Sequence, residues 1–288
     1  MTILQSFLLG LIQGLTEFIP VSSTANLLIV QALLGISSDD ATFAFLVLVQ
    51  LGTMVSLIVY FWKDFWEIIR AMFSSASYRK PHDTEKEDTE TYKKRKRSIA
   101  NAKLGWCILI ATIPALLAGY LLKDEVKVLF RQPMLEAAVR LFAAAILMVL
   151  AEWVGKRSRR LRSITWLDAL VIGLYQILAI FPGASRSATT ISGGMLRGFH
   201  RRSAARFAFL MSVPVMLAAG GYEMLDVLKM PNLTSFLLPM AIGFVTAAVI
   251  GWFVVKWLLG YLIRHSLYPF VAYCAVVGTI CLALTRLP

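Results

Sequence analysis

Charge is scarce in this 288-residue sequence: 16% of the residues are Asp, Glu, Lys or Arg, against about a quarter in soluble domains. That scarcity excludes a disordered chain and almost any ordinary soluble enzyme. Cysteine is sparse as well. Cys107, Cys274 and Cys281 each lie inside an apolar segment, so no disulfide framework is implied. His82, His200 and His265 lie in or beside loops and far apart, so no His/Cys metal constellation exists. A basic n-region and a small-residue cleavage site are both missing from the N-terminus, which is expected to be mature protein rather than a signal peptide. Acid is outnumbered by base, 17 residues to 29. A net charge of +12 would suggest nucleic acid on a soluble face. Here the basic residues sit in short loops between apolar runs, which is how membrane proteins set their orientation. No nucleic-acid partner is expected.

What is present in abundance is apolar length. Hydrophobic residues make up 58% of the chain and mean hydropathy is +0.70. The composition predicts an all-α polytopic membrane protein forming one membrane domain over 1–288. A spanning helix needs about 20 largely apolar residues. Runs at 43–62, 104–122, 135–154, 207–222, 236–258 and 268–285 meet or approach this, predicting six spans. Two further regions, 3–34 and 167–196, are apolar but broken in the middle, the first at Thr16–Thr24 and the second at Phe181–Ser187. Their arms are too short to cross and are read as re-entrant hairpins. Irregular backbone at membrane depth survives only beside protein or a water-filled cavity, so each break points to a site.

Charge supports this layout. The segment 63–103 carries eleven Lys/Arg, 155–166 carries five with no acid, and 197–206 carries four. Six spans and two non-crossing hairpins put all of these on one side, the cytoplasm. The hydrophilic stretch 78–97 is expected to be a solvated cytoplasmic loop, with contact to anionic lipid open to its basic run. Trp62, Trp153 and Trp166 fall near predicted span ends, as interfacial anchors do.

The two broken regions resemble each other. Gly10-Leu11-Ile12-Gln13 matches Gly173-Leu174-Tyr175-Gln176, with Leu15/Leu178 and Phe18/Phe181 in step. Pro20 then pairs with Pro182 and Ser23 with Ser185, and Phe43-Ala44-Phe45-Leu46 recurs as Phe207-Ala208-Phe209-Leu210. Each half reads as a hairpin followed by three spans: repeat one over 1–154, including the charged loop 63–103, and repeat two over 167–288. Three is odd, so the second half must be inverted, and a site is expected at mid-depth where the hairpins meet.

Glu17 and Arg186 are the ionisable residues inside those hairpins, one in each. Intramembrane charges are costly and functional by default, and their opposite signs suggest one polar site. Glu136 and Arg140, spaced i,i+4, are instead expected to form a structural pair. Gln13 shares a helical face with Glu17. Ser22, Ser23, Thr24 and Asn26 follow as a dense set of donors and acceptors. In the second hairpin Gly183 permits close backbone approach, and Ser185, Ser187 and Thr190 surround Arg186. The guanidinium fork fits phosphate oxygens and half-helix N-termini add amides. The ligand should carry phosphate or another compact anion. Glu17 with the ligand's phosphates could hold a divalent cation.

Residues 13–24 (Gln-Gly-Leu-Thr-Glu-Phe-Ile-Pro-Val-Ser-Ser-Thr) and 182–187 (Pro-Gly-Ala-Ser-Arg-Ser), with Thr190-Ile191-Ser192-Gly193-Gly194, resemble the undecaprenyl-diphosphate phosphatases of the bacitracin-resistance type. The resemblance covers nearly the whole chain. It implies a bacterial inner-membrane hydrolase that converts undecaprenyl diphosphate to undecaprenyl phosphate and inorganic phosphate, recycling the lipid carrier of cell-wall synthesis. It also implies inverted repeats, a site opening to the periplasmic side, and dependence on Mg²⁺ or Ca²⁺. By position Gln13 and Glu17 match the family's carboxylate motif, and Ser22, Ser23 and Thr24 its hydroxyl cluster. Ser185, Arg186, Ser187 and Thr190 match its second motif. The family usually has His where this chain has Asn26, and Asn cannot move a proton near neutral pH. Either Glu17 serves alone or activity is reduced.

The implied roles are Arg186 and hairpin amides holding the diphosphate, Glu17 as base and metal ligand, and Ser23 as nucleophile or water-positioning group. The competing class is a transporter or flippase of a polyprenyl phosphate or small anion, which would release no phosphate. A homodimer is left open.

Overall fold

The structure, a computed structural model, describes residues 1–37, 39–74, 89–128, 133–180, 185–227 and 237–285. Eleven α-helices account for most of them. In order they are α1 (Ile3–Thr16), α2 (Ser23–Leu33), α3 (Asp40–Tyr60), α4 (Trp62–Ser74), α5 (Thr89–Val128), α6 (Pro133–Val154), α7 (Trp166–Ile177), α8 (Arg186–Leu196), α9 (Arg201–Val227), α10 (Leu237–Tyr261) and α11 (Tyr268–Leu284). No strand forms among the described residues. The protein is an all-α, multi-pass membrane protein.

Both broken regions fold as pairs of short helices. At 1.5 Å per residue, α1 and α2 are about 21 and 16 Å long, and α7 and α8 about 18 and 16 Å, well short of a hydrocarbon core of about 30 Å. Thr2 starts α1 with a capping box to Gln5, and Thr165 starts α7 with the same device to Asp168. The first break runs from Glu17 to Ser22. The matching Pro182 and Gly183 lie outside the described residues.

Five helices are long and apolar enough to cross a membrane, within Ala41–Tyr60, Thr89–Leu122, Pro133–Val154, Arg201–Leu225 and Leu237–Tyr261. The sixth expected span, 268–285, forms the 17-residue apolar helix α11. Pro269 sets its start, since proline suits a first turn that needs no N–H partner. Of the expected loop 63–103, residues 75–88 lie outside the described residues and the remainder is helical. Residues 62–74 form α4, and 89–103 continue α5 outward, because Lys, Arg and Glu are good helix formers and extend an existing helix at little cost.

The halves exchange partners in packing. α1 lies along α10, and α7 lies along α5. The glycines that recur in the two hairpins make both contacts close. A Cβ on Gly10 would stand 2.6 Å from the carbonyl oxygen of Gly243, and one on Gly173 would stand 2.5 Å from that of Ala111. Small residues let transmembrane backbones approach in this way. Gly10→Ala and Gly173→Ala should each lower stability by about 1–3 kcal/mol through overpacking against rigid backbone. Thermal unfolding in detergent reads this directly, and an unchanged midpoint would show that the helices separate without cost.

Candidate active site

Glu17 caps the C-terminal end of α1, and Ser23 and Arg186 are the first residues of α2 and α8. The N-termini of two helices therefore each send a side chain to one carboxylate. Glu17 is 8% exposed. Gln13 Nε2 donates to its Oε2 at 2.9 Å and Ser23 Oγ to the same oxygen at 2.7 Å. Arg186 Nη2 pairs with Oε1. Ser187 Oγ donates to the Glu17 carbonyl at 2.7 Å, so the hairpins are joined through backbone as well as charge.

Beside this pair lies a small cavity with a free volume of about 10 Å³, room for about one water. Glu17, Arg186, Ser187 and Thr190 line it together with Phe18, Ala208, Phe209 and Ser212. Phe18 and Phe209 form an edge-on pair at 5.5 Å that walls one side. Ser212 belongs to neither motif. The recurring Phe-Ala-Phe-Leu at 207–210 is the one sequence signal that points to its stretch of α9.

The remaining expected residues divide by where their polar atoms go. Thr190 lines the cavity, and its hydroxyl donates to the Arg186 carbonyl at 2.7 Å. Ser185 is the N-cap of α8 and accepts from the Ala188 N–H. Ser22 is the N-cap of α2 and accepts from the Ala25 N–H. Thr24 is exposed. Gly183 lies outside the described residues. Gln176, the counterpart of Gln13, is buried and its amide meets no partner among the described residues. Ile180 stands in the sequence where a second Glu17 would be, so the second hairpin offers no carboxylate at that place to receive it.

Asn26 serves the backbone rather than the cavity. Its Nδ2 donates to the carbonyls of Val21 (2.9 Å) and Ser22 (2.8 Å), and its Oδ1 accepts from the Tyr273 hydroxyl. Between those carbonyls Ser22 adopts φ 62°, a left-handed conformation uncommon for a residue with a Cβ. The amide thus holds the turn that delivers Ser23 to Glu17. One NH₂ bonding two carbonyls while its oxygen accepts a hydroxyl is a set that an imidazole ring cannot reproduce. Asn26→Ala should cost about 1–3 kcal/mol of site order, a rate loss of about 5- to 150-fold at nearly constant KM. Steady-state kinetics checks this, and a raised KM with unchanged kcat would instead place Asn26 on the ligand.

Two buried carboxylates outside the site carry no motif. Glu152, with no exposed side-chain surface, accepts from Arg157 (2.6 Å), from Arg201 through both Nε and Nη2 (2.6 and 2.5 Å), and from the Leu267 N–H (2.7 Å). Asp168 accepts from Arg159, Arg197 and Thr165. Burial would raise the Asp168 carboxyl, but the hydrogen bonds from Arg159, Thr165 and Arg197 outweigh it and hold it well below the usual carboxylate range. Arginines 157, 159, 197 and 201 come from the basic loops that suggest orientation. Here they also tie the ends of α6, α7, α8 and α9 together. Glu136 and Arg140 pair at 2.8 Å within α6, as their spacing predicts.

Among the described residues no group of three or more His, Cys, Asp or Glu could hold a metal. All three cysteines are free and buried.

The profile of the family described as "Bacitracin resistance protein BacA" matches residues 6–280. A relative from Chloroherpeton thalassium named undecaprenyl-diphosphatase is 37% identical over 293 residues, covering 99% of this chain and 97% of its own length. Relatives of the same name from Anaeromyxobacter dehalogenans and Mycolicibacterium vanbaalenii are 39% and 37% identical. Each again covers 99% of this chain, with 92% and 97% of their own lengths matched.

Proposed function

This chain belongs to the bacitracin resistance protein BacA family, and from that premise we propose that it is a membrane phosphatase converting undecaprenyl diphosphate to undecaprenyl phosphate and inorganic phosphate. The observation that carries this reading is the convergence of Gln13, Ser23 and Arg186 on Glu17 from two hairpins. The site holds a nucleophile, a base and an anion clamp within hydrogen-bonding reach.

The Ser23 hydroxyl already points its proton at Glu17, so the carboxylate is placed to accept that proton as the oxygen, or a water it orients, attacks the terminal phosphorus and the bond to the bridging oxygen breaks, releasing undecaprenyl phosphate. Where Ser23 itself attacks, water then cleaves the phosphoserine to inorganic phosphate and restores the hydroxyl. Gln13 fixes the carboxylate's rotamer. Arg186 neutralises Glu17 while the site is closed. A cavity of about 10 Å³ cannot admit a diphosphate, so binding must draw the guanidinium off Glu17 and onto phosphate oxygens, where its fork matches their geometry. That exchange frees the base when substrate arrives. The N-terminal amides of α2 and α8 then face the charge that phosphoryl transfer spreads over the equatorial oxygens. The prenyl tail leaves between helices into lipid.

The oxygen donors at the site fit a hard divalent cation only in part. Glu17 is the sole carboxylate there among the described residues, so Mg²⁺ or Ca²⁺ would be held by Glu17 together with the substrate's own phosphates. Such an ion would neutralise phosphate charge and make the phosphorus easier to attack. We place the protein in the bacterial inner membrane, with the basic loops in the cytoplasm. The site opens to the periplasm and the halves are inverted repeats.

The test is release of inorganic phosphate from a long-chain polyprenyl diphosphate by the purified protein, with Mg²⁺ and with EDTA. Release with Mg²⁺ that EDTA abolishes is the expected result. EDTA should leave the melting temperature of substrate-free protein unchanged, because the ion arrives with the diphosphate. A large drop in that temperature would reveal a resident metal instead. No release from folded protein under any condition would overturn the assignment in favour of transport.

A further inference from the structure

Helix α4 begins at Trp62, two residues after α3 ends at Tyr60, so it starts where a spanning helix reaches the bilayer surface. At 13 residues it is about 20 Å long, too short to cross. Its two faces differ sharply. Toward the protein, Ile68 and Ala71 are buried, Asp64 accepts from Arg206 at 2.5 Å, and Glu67 accepts from Arg97 at 2.7 Å and Asn101 at 3.1 Å. Both acids of α4 are therefore paired within the protein's own surface, Asp64 with Arg206 and Glu67 with Arg97 and Asn101. On the opposite face Trp62, Trp66, Ile69 and Phe73 follow one another at helical spacing and are 60, 60, 49 and 84% exposed. The two indoles stack at 6.5 Å.

The surroundings of this stripe are basic. Lys63 and Arg70 are exposed on α4 itself, and Lys93, Lys94 and Lys96 are exposed on the first turns of α5. α5 is 40 residues long, about twice what a crossing requires, so these lysines stand outside the hydrocarbon beside the same surface. Lys94 pairs with Glu90 across exposed side chains, a contact water screens heavily.

We propose that α4 lies in the plane of the bilayer interface and, with the exposed lysines of α5, forms a binding surface for acidic phospholipid headgroups of the adjoining leaflet. Indoles rest at headgroup depth with their apolar bodies toward the acyl chains. With Asp64 and Glu67 paired to Arg206 and Arg97, Lys63 and Arg70 of α4 are left to present cationic charge to lipid phosphate. A zwitterionic lipid carries its own cation and gains less from that field, so the surface should enrich anionic over neutral lipid. The residues concerned are distinct from the Glu17 site, and the proposal stands whether or not the chain is a phosphatase.

The experiment uses the full chain in vesicles of phosphatidylcholine with about 30 mol% phosphatidylglycerol, brominating one lipid or the other as a short-range quencher of tryptophan emission. Subtracting the signal of a Trp62→Phe/Trp66→Phe variant isolates the α4 indoles. Per mole of lipid, brominated phosphatidylglycerol should quench that component about twofold or more over brominated phosphatidylcholine, and high salt should bring the ratio toward one. A Lys63→Gln/Arg70→Gln/Lys93→Gln/Lys96→Gln variant should lose the preference as well. The wild-type arms alone decide the matter if that variant fails to fold. Equal quenching by both lipids would overturn the proposal, leaving an ordinary interface. Quenching by neither would also overturn it, because the stripe would then be covered by protein, a second copy of this chain included.

Discussion

Replacing Glu17 by glutamine is expected to reduce phosphate release by about 10²- to 10⁴-fold, the range that a positioned general base contributes. The substitution preserves shape, so the new amide oxygen can still accept from Arg186 and the α1–α2 turn keeps its geometry. The amide cannot take the proton from Ser23, whose hydroxyl lies 2.7 Å from the present carboxylate. Loss of the carboxylate also removes the charged internal partner of Arg186, leaving the guanidinium free for substrate phosphate. KM should therefore hold or fall while kcat collapses. Arg186→Ala should behave in the opposite sense, raising KM steeply and leaving a 7%-exposed carboxylate without its cation. Steady-state phosphate release by the two variants separates base from clamp. Full turnover by Glu17→Gln would remove Glu17 from the chemistry.

The largest expected loss of stability lies away from the site. Glu152→Ala should cost about 3–5 kcal/mol, because it strips a fully buried acceptor from two arginines and a backbone N–H. Those three donors belong to the loop after α6, the start of α9 and the turn before α11, so one carboxylate ties three segments. The arginines should rank by burial. Arg201, 22% exposed and bidentate, should cost more when truncated than Arg157, which is 35% exposed and single-bonded. Thermal or denaturant unfolding in detergent checks both the size and the order. Equal, small effects for all three would mean that the cluster is a solvated surface pair worth about 0–1 kcal/mol.

Much of this protein was legible from the sequence because a bilayer imposes simple rules. Apolar length identifies helices when water cannot satisfy a backbone, and a break such as Thr16–Thr24 must then be a feature. Charge inside an apolar run is expensive enough that Glu17 and Arg186 could be paired across 169 residues. The recurring Gly-Leu-x-Gln marked both hairpins for the same reason: Gly10 and Gly173 are each required by a backbone contact closer than a methyl group allows.

Other features had no linear signature. Nothing at position 26 announces that an amide will hold Val21, Ser22 and Tyr273 together, because Tyr273 lies 247 residues away and the left-handed turn at Ser22 is a product of packing. Glu152 and Asp168 look like ordinary charges near span ends. Only the folded chain brings arginines from distant loops around them and removes the water. Residues 63–74 fall inside the expected charged loop 63–103, and hydropathy does not separate them as a helix. In three dimensions Asp64 and Glu67 pair with Arg206 and Arg97 on one face of α4 while Trp62 and Trp66 turn out on the other. Periodicity and hydropathy are properties of neighbouring residues, and they determined the helices, the breaks and the chemical character of the site. Which donor meets which acceptor depends on crossing helices, and that only the tertiary structure decided.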